Sequence, residues 1–189
     1  KMTDKDLLDI ATELEGHPDN VAPALFGGLT IAWEDESGPH HKKLTVHRGV
    51  SPLVLVPPNQ MSTKLARSLQ PESVPHTDAV FNVSRSALLV AALTQSPELL
   101  FAATEDRLHQ NYRASAMPET SKLIEKLRAE GHPAVVSGAG PSVLVLEVDP
   151  VKRVAAVAFV EREFPTWKPL SLAVDFKGAS LEVQSGSGV

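Results

Sequence analysis

Ala134-Val135-Val136-Ser137-Gly138-Ala139-Gly140-Pro141-Ser142-Val143-Leu144-Val145-Leu146-Glu147-Val148 sets two apolar, β-branched runs on either side of a glycine-rich turn. Runs this short and this rich in valine suit strands better than helices, and so brief a connection joins strands that run antiparallel. Helical patterns surround the pair. Apolar residues recur at intervals of three and four over 61–70, 77–95, 97–110, 118–130 and 151–164, with Pro71, Pro75, Pro97, Pro118 and Pro165 as punctuation. Residues 53–56, stopped by Pro57-Pro58, read as a buried strand, and 170–174 and 179–183 read as closing strands around Lys177-Gly178. Strands separated by helices without strict alternation predict an α+β fold with an antiparallel sheet, and residues 50–189 fit a ferredoxin-like split βαβ layer.

Toward the N-terminus, Thr3 followed by Asp6 forms a capping pair, and Leu7, Ala11 and Leu14 predict a helix over about 4–15 that stops at Gly16. His17-Pro18-Asp19-Asn20 breaks it, and Asp19 or Asn20 is expected to cap a short apolar segment over 21–26. Residues 29–33 alternate like a strand, and the polar stretch 34–41 is expected to be a hairpin loop returning through 44–47. One helix and a hairpin cannot close a core. Residues 1–49 are therefore expected to be the remnant of one domain and 50–189 a second domain. Either translation starts near Met2 or the chain begins inside a larger fold.

Composition narrows the chemistry. Among 189 residues, 18 lysines and arginines against 23 aspartates and glutamates give a formal charge of −5 without a long single-sign run. That balance predicts neither a nucleic-acid partner nor a polybasic membrane contact. The absence of cysteine rules out disulfides, thiolate metal clusters and cysteine nucleophiles, and fits a reducing cytoplasm. No apolar run reaches the roughly 18 to 20 residues needed to cross a bilayer, so a cytoplasmic location is expected.

Four places concentrate reactive side chains. Glu13-Leu14-Glu15-Gly16-His17-Pro18-Asp19-Asn20 gathers groups able to coordinate a cation or bind a polar substrate; a solvated helix face followed by a cap explains the same residues. Ser137, Gly138, Ala139 and Gly140 form a turn whose peptide N–H groups can hold an anion, or simply a tight hairpin. It lacks the third glycine of a dinucleotide fingerprint and the lysine of a Walker A loop. Arg107, His109, Asn111, Tyr112 and Arg113 offer carboxylate recognition, or cations complementing a helix C-terminus. Asn82 and Arg85 share one face of an apolar helix, where arginine commonly snorkels to water. His40, His41 and His47 lack zinc-site spacing.

Taken in order, these motifs resemble the GHMP family of small-molecule kinases, and within it the homoserine-phosphorylating branch. The residues that carry the resemblance are Glu13 to Ala24 followed by Phe26-Gly27-Gly28, the segment His109 to Pro118 with Tyr112-Arg113, and Val136-Ser137-Gly138-Ala139-Gly140-Pro141-Ser142-Val143, which is similar to the family's third glycine motif. The family's Gly-Leu-Gly-Ser-Ser phosphate motif does not occur in these residues. The chain therefore looks like the C-terminal part of such an enzyme, expected to be inactive alone.

The resemblance implies transfer of the ATP γ-phosphoryl group to the hydroxyl of L-homoserine. It assigns Glu13 to Mg²⁺, His17, Asn20, Arg113 and, less directly, Arg85 to the acceptor, and Ser137, Gly138, Ala139 and Gly140 to the nucleotide. Without the missing region, apolar surface over residues 1–48 is left uncovered, so association between chains, as a homodimer, is expected. Asn20 stands where mevalonate-kinase relatives carry an aspartate, and an amide is no base at neutral pH, so no catalytic side-chain base is expected. A non-catalytic amino-acid-binding module built on a ferredoxin-like layer, or another GHMP kinase, is the alternative.

Overall fold

Helix α1 (Asp4–Glu15) starts where the sequence places it. The Thr3 hydroxyl accepts from the Asp6 N–H at 3.2 Å and the Asp6 carboxylate accepts from the Thr3 N–H at 2.8 Å, a reciprocal cap. It ends at Gly16, whose φ of 90° is open to glycine at little cost. The structure, a computed structural model, describes residues 2–59 and 68–181. The expected helix over 61–70 lies mostly outside the described residues, as do the end of the expected strand 179–183 and the Ser-Gly tail at 185–188.

The chain divides into two units, Lys1–Val46 with Val174–Val189, and His47–Ala173. A single division after residue 49 does not provide for the return of Val174 and its successors to the first unit. There α2 (Pro18–Phe26) follows α1, and β1 (Leu29–Asp35) pairs antiparallel with β2 (Gly38–Leu44). Two expectations are corrected. His17, extended at φ −165° and ψ 150°, occupies the N-cap position of α2 without a side-chain cap, and Pro18 at N1 begins the helix, so Asp19 and Asn20 fall in its first turn. The hairpin loop is only Glu36-Ser37, and Glu34 pairs with Pro39 and Trp33 with His40. The polar residues of 34–41 are strand residues on an exposed hairpin. The turn is tied by Asp35, which accepts from the Ser37 N–H and hydroxyl; those bonds, with His40, hold its carboxyl down to about 2.

In the second unit β3 (Ser51–Val56) is central in an antiparallel sheet of order β4-β5-β3-β6, where β4 is Ala134–Val136, β5 Val143–Glu147 and β6 Lys168–Ser171. In order of appearance the strands lie 2-3-1-4, the split βαβ arrangement. Leu53 and Leu55 of β3 and Val143 and Val145 of β5 face α6 (Pro118–Ala129) and α7 (Pro150–Glu163) in a core that includes Leu123, Leu127, Val160 and Trp167. Val135, Leu144 and Leu146 turn to the other face and line a cavity of about 320 Å³ with Leu89 and Leu93 of α3 (His76–Thr94).

The continuous helix expected over 97–110 is not formed. A 3₁₀ turn (Pro97–Leu99) leads into α4 (Leu100–Ala103), an irregular loop follows, and α5 (Gln110–Arg113) comes after it. Asp106 is the reason. Its carboxylate accepts from the N–H groups of Leu108, His109 and Gln110, satisfying donors that a helix would have bonded internally. The closing strands are likewise reduced to β6, and residues 172–181 are irregular.

Candidate functional site

The first unit holds Glu13, His17 and Asn20 on consecutive turns of chain. Glu13 is exposed on the last turn of α1, His17 half-buried where α2 begins, and Asn20 exposed in its first turn. The His17 imidazole is set between two carboxylates: Nδ1 contacts Asp19 and Nε2 lies 3.9 Å from Glu15. Asp19 is thus engaged with the ring rather than presented as a separate group. Among the described residues no cluster of three or more histidine or acidic side chains is placed to hold a metal. A lone exposed carboxylate still fits Mg²⁺, which keeps several waters and takes most other ligands from substrate phosphates.

The far end of α2 is anchored by the returning segment. The Gly28 N–H donates to Asp175 O at 2.7 Å, the Ala179 N–H to Leu25 O at 3.1 Å, and the Lys43 ammonium to the carbonyls of Phe26 and Phe176, both at 2.6 Å. Gly27 and Gly178 cross so closely that a Cβ on Gly27 would lie 2.6 Å from Gly178 N. Both glycines have positive φ.

In the second unit, Arg113 and the glycine turn meet. Arg113 Nη1 donates to the Gly138 carbonyl at 3.5 Å. With the Gln70 amide oriented oxygen-first toward it, Nε and Nη2 each donate to that oxygen at 2.9 Å, while the amide nitrogen donates to Leu108 O at 3.0 Å. Within the turn the Ser137 N–H donates to Ser142 O at 2.8 Å and the Gly140 N–H to Ser137 O at 3.0 Å. Among the described residues the N–H groups of Gly138 and Ala139 make no hydrogen bond. Of the four turn residues assigned to nucleotide, two therefore have N–H groups occupied by the turn itself, and two present donors beside a guanidinium.

Arg85 has a carboxylate for its partner where Arg113 has an amide. Its Nε and Nη2 donate to Glu105 at 2.9 and 2.7 Å, and its guanidinium sits 4.2 Å over the Phe81 ring. It braces α3 against the loop, with its bidentate face taken. Asn82, its neighbour on the helix, donates to Asp106 at 2.8 Å and accepts from the Arg107 N–H at 2.9 Å. Burial alone would raise the Asp106 carboxyl, but the N–H donors of Gln110, His109 and Leu108 and the Asn82 amide outweigh it and hold the pKa below the ordinary carboxylate value.

This loop borders a cavity of about 390 Å³ whose walls include Phe81, Asp106, Arg107, Gln110 and Val136. Sequence reasoning missed Asp106 and Gln110. The signal was available: an aspartate four residues ahead of a helix start, hidden inside an apolar spacing that read as one longer helix.

Residues 84–166 match the family described as GHMP kinases C terminal. The chain is 71% identical over 178 residues to homoserine kinase from Clavibacter michiganensis subsp. michiganensis, a match that covers 94% of this chain and 56% of that protein. The chain belongs to the GHMP kinase family.

Homoserine kinase from Leifsonia xyli subsp. xyli is 72% identical over 176 residues, covering 93% of this GHMP kinase chain and 54% of the relative. The chain spans about half the length of the curated relatives it matches. The crystal structure of homoserine kinase from Cytophaga hutchinsonii shares the fold at a TM-score of 0.84 and 25% identity, covering 94% of this chain and 60% of that one. The α+β class and the GHMP kinase fold are thereby established. Among the described residues, no helix is long and apolar enough to cross a membrane.

Proposed function

We propose that the protein to which these residues belong phosphorylates the side-chain hydroxyl of L-homoserine with ATP, giving O-phospho-L-homoserine. The observation that carries this reading is the identity of 71% and 72% with two homoserine kinases across more than nine-tenths of the chain. The geometry supports it: a half-buried arginine fork lies against a turn that presents two N–H groups unbonded among the described residues.

Phosphoryl transfer asks a protein for positioning and charge neutralisation more than for covalent chemistry. Arg113 pairs with the acceptor carboxylate, which displaces the neutral Gln70 amide oxygen from Nε and Nη2 and puts charge-assisted bonds in its place. His17, oriented by Asp19 and Glu15, and Asn20 supply polar contacts to the amino and hydroxyl ends of homoserine. Gly138 and Ala139 donate N–H groups to phosphate oxygens. Glu13 would hold Mg²⁺, which neutralises charge on the nucleotide phosphates. Asn20 cannot take a proton and Asp19 faces His17, so proton loss from the hydroxyl is left to the phosphate or to water. A cytoplasmic biosynthetic enzyme on the route to threonine, acting as a homodimer, accords with this reading.

A substrate panel tests it. In a protein of the relatives' length carrying this chain, L-homoserine should be phosphorylated with kcat/KM at least roughly a hundredfold above mevalonate or shikimate, since both lack the ammonium-carboxylate pair. Equal use of the three acceptors would reject the assignment.

A further inference from the structure

The glycine turn does not hold its own shape by its internal bonds alone. Side chains from one contiguous stretch, α5 through the first turn of α6, grip its backbone at three successive points. At the entrance the Gln110 amide oxygen accepts from the Val136 N–H at 2.8 Å. At the tip Arg113 donates to Gly138 O. At the exit the Thr120 hydroxyl, on a residue only 2% exposed, donates to Pro141 O at 2.8 Å. Beneath the turn, a Cβ on Gly140 would lie 2.7 Å from Met117 Sδ, so the same stretch also supplies the surface on which the turn rests.

The geometry points to Gln110 and Thr120 as positioning residues for the anion-binding turn. Neither touches a ligand. They fix both ends of the turn to the segment that carries Arg113, so that the Gly138 and Ala139 N–H groups hold one preset arrangement toward a phosphate oxygen, beside the guanidinium that takes the acceptor carboxylate. The physical reason is preorganisation: donors aimed in advance lose no ordering entropy when the anion arrives. Gln110 is itself placed by its N–H bond to Asp106, which carries the placement back through Asn82 to α3. This inference rests on the reading of the turn as the phosphate contact.

Thr120→Val removes the hydroxyl at constant shape, Thr120→Ser restores it, and Gln110→Leu removes the other grip. The probe is ATP added to a protein of the relatives' length carrying this chain, read from the ¹⁵N and ¹H shifts of the Gly138 and Ala139 amides, with thermal midpoints recorded alongside. Thr120→Val and Gln110→Leu should each weaken the ATP response at both amides by roughly tenfold while the chain stays folded, and Thr120→Ser should recover most of it. A wild-type response that both folded variants reproduce unchanged would overturn the positioning role alone. Absence of any response at Gly138 and Ala139 in the wild-type chain would overturn the phosphate reading, and this inference with it.

Discussion

At the scale of single residues, Asp106 is where one carboxylate decides a local fold. Three peptide N–H groups and an amide converge on it, so Asp106→Ala should destabilise the second unit by about 2 kcal/mol, measured by urea unfolding. Its pKa is lower folded than unfolded, which sets the sign of the pH effect. The contribution is complete above the unfolded value of about 4 and is lost as pH falls through the lowered folded value. The difference in stability between wild type and Asp106→Ala should therefore shrink on acidification and hold steady from about pH 5 upward. A difference that grows in acid contradicts the assignment.

Glycines separate geometry from composition at the same scale. Gly178 has φ 78° and its Cβ position meets the Leu25 carbonyl, whereas Gly138 has φ 57° and open space around it. Gly178→Ala should cost about 2 kcal/mol or more in thermal denaturation, and Gly138→Ala about 1 kcal/mol, the left-handed conformation being its only penalty. Asp19→Asn, in a protein of the relatives' length, should leave turnover within about tenfold, because the account gives Asp19 no proton to accept. A loss of thousands-fold with the fold intact would restore a base to the mechanism.

Elements show what a sequence can and cannot declare. Helix α1 was legible at both ends, because Thr3, Asp6 and Gly16 act through bonds among near neighbours. Strands β3, β4 and β5 were legible because a buried strand must be apolar throughout, and Leu53, Val143 and Val145 are fully buried. The hairpin loop was overestimated because Glu34, Asp35 and His40 are polar strand residues on a two-stranded sheet, where no core demands alternation. The helix across 97–110 was overestimated because its apolar spacing carries no trace of Asn82, some twenty residues away in sequence, which fixes Asp106. For the site, the types of residue were readable, but Arg85 was not separable from Arg113. Both are arginines beside aromatic residues, and only the fold brings Glu105 onto one of them.

That difference predicts different phenotypes for the two arginines. Arg85→Met should unfold the second unit more readily, by about 1–2 kcal/mol, since it breaks a half-buried ion pair in which two N–H groups share one Glu105 oxygen, and leaves Glu105 alone. Arg113→Met, which removes bonds to neutral partners only, should cost about 1 kcal/mol or less and act chiefly on acceptor binding. Equal destabilisation by both would place Arg113 among the structural residues.

For the whole molecule, the first unit leaves Leu7, Ile10 and Leu14 of α1 and Ile31 and Trp33 of β1 exposed. Exposed apolar side chains repeated along one helix and one strand favour association, so light scattering of the 189-residue chain should show a mass above 20.3 kDa that rises with concentration. A monomer at every concentration would argue that these side chains are harmless singly. In this reading, acceptor chemistry at Arg113 and phosphate chemistry at the glycine turn belong to one transfer reaction. Its most direct test is ³¹P NMR of ATP, Mg²⁺ and L-homoserine with a protein of the relatives' length carrying this chain. A new phosphomonoester resonance should appear, and its rate should fall at least roughly a hundredfold in Arg113→Met, about 3 kcal/mol of lost transition-state binding. No phosphomonoester, or a rate indifferent to Arg113→Met, would contradict the account.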